Sequence, residues 1–227
     1  MSTYTDLGIE LMVTGENAGT WGTKTNNNLN LIEQLTSGFA TLDIAGGAGT
    51  QALDIDDGAL TGTAQQRIIE FTGSITGNRI ITIPNDVETF YMLKNSTSGA
   101  YTVQFKYATG SGSSTTFSTT DKGIKIVYAS ANDGTNPDIV DVMANSSEIV
   151  LANNNPIKFN DADNSAYVGI DAPTTVSGSY TLTLPAGVGS ADQALVTTDG
   201  SGTLGFTSTS SFGITTGKAI AMAIVFG

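Results

Sequence analysis

The sequence predicts a mainly β protein: a short N-terminal helical docking segment over residues 1–39, an antiparallel β-sandwich over 40–145, and a smaller β-hairpin-rich region over 146–227. Three observations predict it. Gly makes up 27 of 227 residues and charged residues only 13%, while apolar residues hold at 39%; that is too much turn chemistry for a helical protein and too much apolar content for a disordered chain. Beyond about Phe39 the apolar residues recur with period two, in runs separated by Gly, Asn, Asp and Ser clusters. Only the segment ahead of them carries helical spacing.

That helix is expected to start after Thr20 as N-cap, to show Trp21, Thr25, Asn28, Leu29, Ile32 and Leu35 at helical intervals, and to stop at Gly38. A helix of about 15 residues is marginal alone. Its face, headed by the chain's single Trp, therefore needs a partner, either the following domain or symmetry mates.

Strand-like runs follow at Gln66–Thr72, Arg79–Ile83, Thr89–Leu93, Thr102–Tyr107, Gly123–Ser130 and Asp138–Met143. Asn132-Asp133-Gly134 marks a tight turn, because Asp-Gly accepts the positive φ that a short reversal demands. Ala108 to Ser118, rich in Gly, Ser and Thr, reads as an exposed loop. After Asn145 thinner apolar arms flank Asn160–Asn164 and Asp199–Gly202 as successive hairpins. These arms are too short and too rich in Thr, Gly and Ala to close a thick core, so they call for packing on the sandwich or on other subunits. One phrase repeats at an offset of 101: Thr76–Pro84 and Ser177–Pro185 both read [ST]-G-[NS]-x-x-[IL]-T-[IL]-P. Shared ancestry and a common strand grammar both account for it.

The residue inventory excludes much chemistry. With His 0 and Cys 0 there is no His-based triad, Cys nucleophile, ordinary zinc or haem ligand set, or disulfide. Nine bases against 21 acids leave a net charge of −12, which repels phosphate backbones and anionic lipid, so nucleic acid is not an expected partner. Residues 1–66 hold one base and eight acids, residues 67–125 six bases and four acids. That is either scattered solvated charge or a mildly basic middle meeting acidic ends of a neighbouring copy.

Residues Met1 to Glu16 lack the basic start of a secretory signal, so export by that route is not expected. The longest apolar run, Ala219 to Phe226, falls far short of the roughly 20 residues a membrane helix needs. It alternates Ala with Ile220, Met222 and Ile224, which suits either a close interface or the chain's own core. Asp54, Asp56, Asp57 and Gly58 start like a calcium loop, but the twelfth position is Gln65 where a Glu is required; Asp161 and Asp163 fail likewise at Ala172. Turn chemistry explains both clusters, with a looser or intersubunit cation site as the other reading. Glu70, Asp86 and Glu88 are the nearest thing to paired glycosidase carboxylates. No enzyme, cofactor or metal is expected.

Several phrases resemble tail-fibre and other virion structural proteins of marine tailed bacteriophages of the cyanophage and pelagiphage type. They are Thr20–Glu33, Ile83-Pro84 with Lys94–Gly99 and Tyr101–Val103, Tyr180–Pro185, Asp199–Leu204, and Lys218–Gly227. Together they cover nearly the whole chain. The resemblance implies a non-enzymatic homotrimer in the virion, with an N-terminal part that docks to the particle and β domains projecting from it. Trp21, Leu29, Ile32, Leu35, Ile220, Met222 and Ile224 are then the expected docking or oligomer contacts. Host attachment is the expected role, with capsid decoration as the alternative. A carbohydrate-binding module is a further alternative, and Tyr101, Phe105, Tyr107 and Phe117 are its candidate glycan contacts.

Overall fold

The computed structural model describes residues 2–151, 155–212 and residue 224, and the chain divides into two compact units, Met1–Ile149 and Val150–Gly227. The first unit opens with a short antiparallel pair, β1 (Thr3–Tyr4) and β2 (Glu10–Leu11). Helix α1 follows, Trp21–Ser37, within a residue or two of its predicted ends.

Thr20 precedes α1 but makes no side-chain cap; its hydroxyl donates to the Asn17 carbonyl at 3.2 Å instead. Gly38 ends it, donating its N–H to the Gln34 carbonyl at 2.9 Å, yet its φ of −63° lies in ordinary extended space. Glycine is needed there for room, since a Cβ would sit 2.6 Å from the Gln34 carbonyl oxygen. Leu31 and Leu35 bury the inner face of the helix. Asn28 clamps it to β2, accepting from the Glu10 N–H at 2.9 Å and donating to the Glu10 carbonyl at 2.8 Å. Lys24 adds an ion pair to the buried Glu10 carboxylate at 2.9 Å. Hydrogen bonds from Ser2 and then Lys24 hold that carboxyl below the usual range.

The body of the unit is built from β3 (Phe39–Asp43), β4 (Gly49–Ala52), β5 (Ile68–Thr72), β6 (Arg79–Ile83), β7 (Thr89–Asn95), β8 (Val103–Tyr107), β9 (Thr115–Phe117), β10 (Ile124–Ala129) and β11 (Ile139–Asp141). They form two facing sheets, β11-β10-β7-β5-β3 and β4-β6-β8-β9, so the expected sandwich-like arrangement is present. Strand direction differs from the expectation. From β3 to β8 consecutive strands alternate between the sheets, and β3, β5 and β7 pair in parallel, as do β4, β6 and β8. The chain thus winds as three stacked coils of two strands each, with Phe39, Ile68 and Met92 in register. Antiparallel pairing is confined to β9, β10 and β11, which fold back on β8 and β7 and end the stack.

The ladder runs on through the bends between sheets. Gly46 N–H donates to the Ser74 carbonyl at 3.0 Å and Ile75 N–H to the Ser98 carbonyl at 3.0 Å, joining one bend to the next. At the third bend Gly99 has a φ of +98°, and a Cβ there would lie 2.2 Å from the Ile75 carbonyl oxygen, so no other residue fits. The predicted loop 108–118 ends in a short strand: β9 buries Thr115 and Phe117. Asn132-Asp133-Gly134 does turn with positive φ at Gly134, in a nine-residue connection rather than a tight hairpin.

Inward residues of the two sheets make one core. Phe71 lies 6.5 Å from both Phe105 and Phe117, Tyr91 lies 5.4 Å from Phe105, and Ile44, Ile75, Ile81, Leu93 and Val127 fill the rest. Each such side chain stabilises the fold by roughly 1.5–3 kcal/mol on burial. The two buried tyrosines find partners: Tyr91 donates to the Ala64 carbonyl at 2.8 Å, and Tyr107 donates to the Val87 carbonyl at 2.7 Å while accepting from Ala131 N–H.

The second unit, taken by itself, contains two antiparallel hairpins, β12 (Ile157–Asn160) with β13 (Tyr167–Ile170), and β14 (Gln193–Thr197) with β15 (Leu204–Ser208). A short 3-10 turn, Thr209–Phe212, follows. Asp161 and Asp199 hold the reversals by accepting hydrogen bonds from backbone N–H groups of their own turns, as Asx chemistry requires. The echoed phrase diverges: Arg79–Ile83 is a core strand, whereas Ser177–Pro185 contributes one bridge, Thr183 to Thr203. Among the described residues, no buried hydrophobic lies beyond Ile139.

Candidate functional site

On α1 the residues expected to dock divide between two faces. Trp21 (65% exposed), Leu29 and Ile32 lie bare on the outer side, but Leu35, at 8%, is turned inward beside Leu31 and is not available to a partner. One turn of register decides this, since residues 24, 28, 31 and 35 follow the Asn28–Glu10 clamp. Ile220 and Met222 lie outside the described residues; Ile224 is exposed.

The glycan expectation is corrected more sharply. Phe105, Tyr107 and Phe117 are core, with exposures of 0–2%, and only Tyr101 reaches solvent. On β8 the polar Gln104 and Lys106 alternate with Val103, Phe105 and Tyr107, so the aromatic face had to turn inward once a second sheet covered it. A concave aromatic platform does not form from these four.

The carboxylates fare no better as a catalytic pair. Glu70 is tied to Lys94 at 2.8 Å and accepts from the Ser96 hydroxyl at 2.6 Å, bonds that hold its carboxyl below the usual range. Glu88 accepts from the Tyr128 hydroxyl at 2.6 Å. Asp86 and Glu88 do share the lining of an open groove of about 440 Å³ with Asp6, and Asp86 also lines a second groove of similar volume with Tyr4, Asp6, Asp54 and Asp57. Asp54 is already engaged there, accepting from Thr63 N–H at 3.0 Å and the Thr63 hydroxyl at 2.6 Å. Among the described residues no group of three or more acids converges as a metal ligand set.

Two apolar surfaces stand out among the described residues. In the first unit, Phe39, Ile68, Met92 and Ile126 sit directly opposite one another across β3, β5, β7 and β10, forming a continuous outward row over four strands. Phe90 and Tyr128 flank it on one side, their rings 5.1 Å apart, and Ile124 extends it on the other beside Lys94 and Glu70. In the second unit, Ile157 faces Ile170 and Phe159 faces Val168, so one whole side of the β12–β13 hairpin is apolar; all four residues are exposed, Val168 by 73%. The sequence signal for the outward row was available: Phe90–Leu93 and Ile124–Tyr128 carry apolar residues on both strand faces, which a half-buried strand should not.

No known protein family, curated protein or solved structure matches the chain.

Proposed function

We propose that this chain is a passive structural component of a tailed-bacteriophage virion, most simply a short tail fibre or fibre adaptor that assembles as a homotrimer and contributes to host attachment. The observation that carries the reading is the bare hairpin face Ile157, Phe159, Val168 and Ile170. A two-stranded hairpin is marginal in water without cover on its apolar side, and contiguous bare patches of this kind mark interaction surfaces. The outer face of α1 adds Trp21, Leu29 and Ile32. The resemblance of Thr20–Glu33, Tyr180–Pro185 and Lys218–Gly227 to phrases of phage virion proteins is the support for the particle context.

The mechanism needs no chemistry. Copies bury one another's apolar faces and present weak contacts in multiple, so that avidity exceeds any single contact. With Phe105, Tyr107 and Phe117 buried, a glycan-binding reading retains only Tyr101.

Analytical ultracentrifugation tests assembly: about three times 23.3 kDa is expected, and a monomer at every concentration overturns the reading. Antibody labelling of intact particles tests placement. Label on the tail supports the fibre role, and label spread over the capsid replaces it with decoration.

A further inference from the structure

We infer that the outward face of the five-stranded sheet is the surface on which a second copy of this chain packs, through the row Phe39, Ile68, Met92 and Ile126. This rests on the reading of the chain as a self-assembling building block and names a surface that the docking helix and the hairpins do not include.

Register makes the face. Because paired residues in a sheet share a side, Phe39–Ile68–Met92–Ile126 runs straight across four strands spaced about 4.8 Å apart. Beneath it Ile69, Phe71, Tyr91, Leu93 and Val127 are fully buried, so the row stands on a closed core and cannot turn inward. Phe39, Phe90, Met92, Ile124 and Ile126 are exposed by between 36% and 60%. Taking about 200 Å² for a fully exposed large side chain, they leave roughly 500 Å² bare, before Ile68, Tyr128 and Val140 are added. A standard interface takes about 800 Å² from each partner, and this face with its rim reaches that order.

Charge selects the occupant. Copies with a net charge of −12 repel wherever acids face one another. On this face Glu70 is neutralised by Lys94 at 2.8 Å, the remaining acids lie at its margins, Asp43 at the far end of β3 and Glu88 beside Tyr128, and the row itself carries no charge. It is therefore a place where two identical chains meet with little like-charge opposition. A basic partner would find far more to bind in the groove lined by Asp6, Asp54, Asp57 and Asp86.

Sedimentation equilibrium on the full chain and on the double variant Met92→Lys/Ile126→Lys tests this. The wild type is expected as a multiple of 23.3 kDa, and the variant is expected to associate at least about 100-fold more weakly, because each lysine is desolvated in the contact, with far-ultraviolet circular dichroism unchanged. Ile126→Cys gives a gentler probe, its thiol being the only one in a chain with Cys 0. Its labelling by a maleimide dye should be slowed about tenfold or more in the assembly and become fast on dilution to monomer. An assembly that keeps its mass in the double variant, with residue 126 labelling like a free thiol, overturns this surface and leaves self-assembly standing. A monomer with a fast thiol overturns both; a monomer with a protected thiol assigns the face to another segment of the same chain and overturns the copy-to-copy contact.

Discussion

The strands of the first unit and the hairpins of the second use the same residues, Ile, Val, Phe and Tyr in alternation, with opposite results. In the first, Phe71 on β5 meets Phe105 and Phe117 on the other sheet and, with Ile69 on the same face, is buried from water. In the second, Phe159 and Val168 sit opposite one another on a hairpin, and both stay bare. Alternation therefore specifies only that one side of a strand is to be covered. Whether the cover comes from the chain itself depends on a second sheet arriving over it, which three stacked coils supply in one unit and two separate hairpins do not supply in the other.

Truncating the two cores should separate them most widely. Phe71→Ala is expected to cost about 3–5 kcal/mol in urea unfolding, the cavity cost of a fully buried aromatic, while Phe159→Ala should change unfolding of the dilute monomer by under about 0.5 kcal/mol and weaken the assembly instead. An equal loss for both would erase the distinction. Backbone substitutions come next. Gly99→Ala forces a side chain into positive φ against the Ile75 carbonyl and should cost about 2–3 kcal/mol, whereas Gly200→Ala, with open space around it, should lie within about 0.5 kcal/mol of wild type by thermal melting.

Tyr107→Phe removes the donor to the Val87 carbonyl and the acceptor for Ala131 N–H, for an expected loss of about 2 kcal/mol. It also has a pH signature. Burial pushes the Tyr107 hydroxyl up to about 12, so the folded chain keeps this proton longer than the unfolded one. The resulting stability is full below about pH 10 and falls as pH rises towards 12; in Tyr107→Phe that part of the alkaline loss should vanish from a denaturation series. The smallest effect is expected on the acid side. Hydrogen bonds from Ser113 and Asn132 hold the Asp138 carboxyl below its usual range, so its contribution is present at neutral pH and lost as pH falls through that lowered value. Asp138→Asn should soften acid unfolding of the first unit, and an unchanged acid midpoint would count against that tie.

The helix, the switch to period two at Phe39 and the runs that became β5, β6, β7, β8, β10 and β11 could be read from the sequence because each needs only local spacing. Strand direction could not. Alternation looks the same in parallel and antiparallel pairs, and what sets the pairing here is bend geometry, Gly46 to Ser74 and Ile75 to Ser98, between residues that share no obvious motif. The coils at Phe39, Ile68 and Met92 are unequal in length and escape a fixed-period search. Leu35, Phe105 and Tyr107 were placed on the right elements but the wrong side, because periodicity identifies a face without saying which neighbour will cover it, and Phe117 fell in a stretch read as a loop that is in fact β9. The outward row was legible only in part: apolar residues on both faces of Phe90–Leu93 and Ile124–Tyr128 signal it, but its continuity exists only across strands.

A stack of parallel coils has no natural stopping point, because each turn leaves the chain where the next can begin, displaced by one strand spacing and pointing the same way. Here the reversal of β9, β10 and β11 acts as the terminus. Gene duplication of one winding would lengthen the body by about 4.8 Å while leaving the helix at one end and the reversal at the other untouched. Reach in such an architecture is thus heritable in whole-coil steps, and each step would widen the apolar stripe by one more residue.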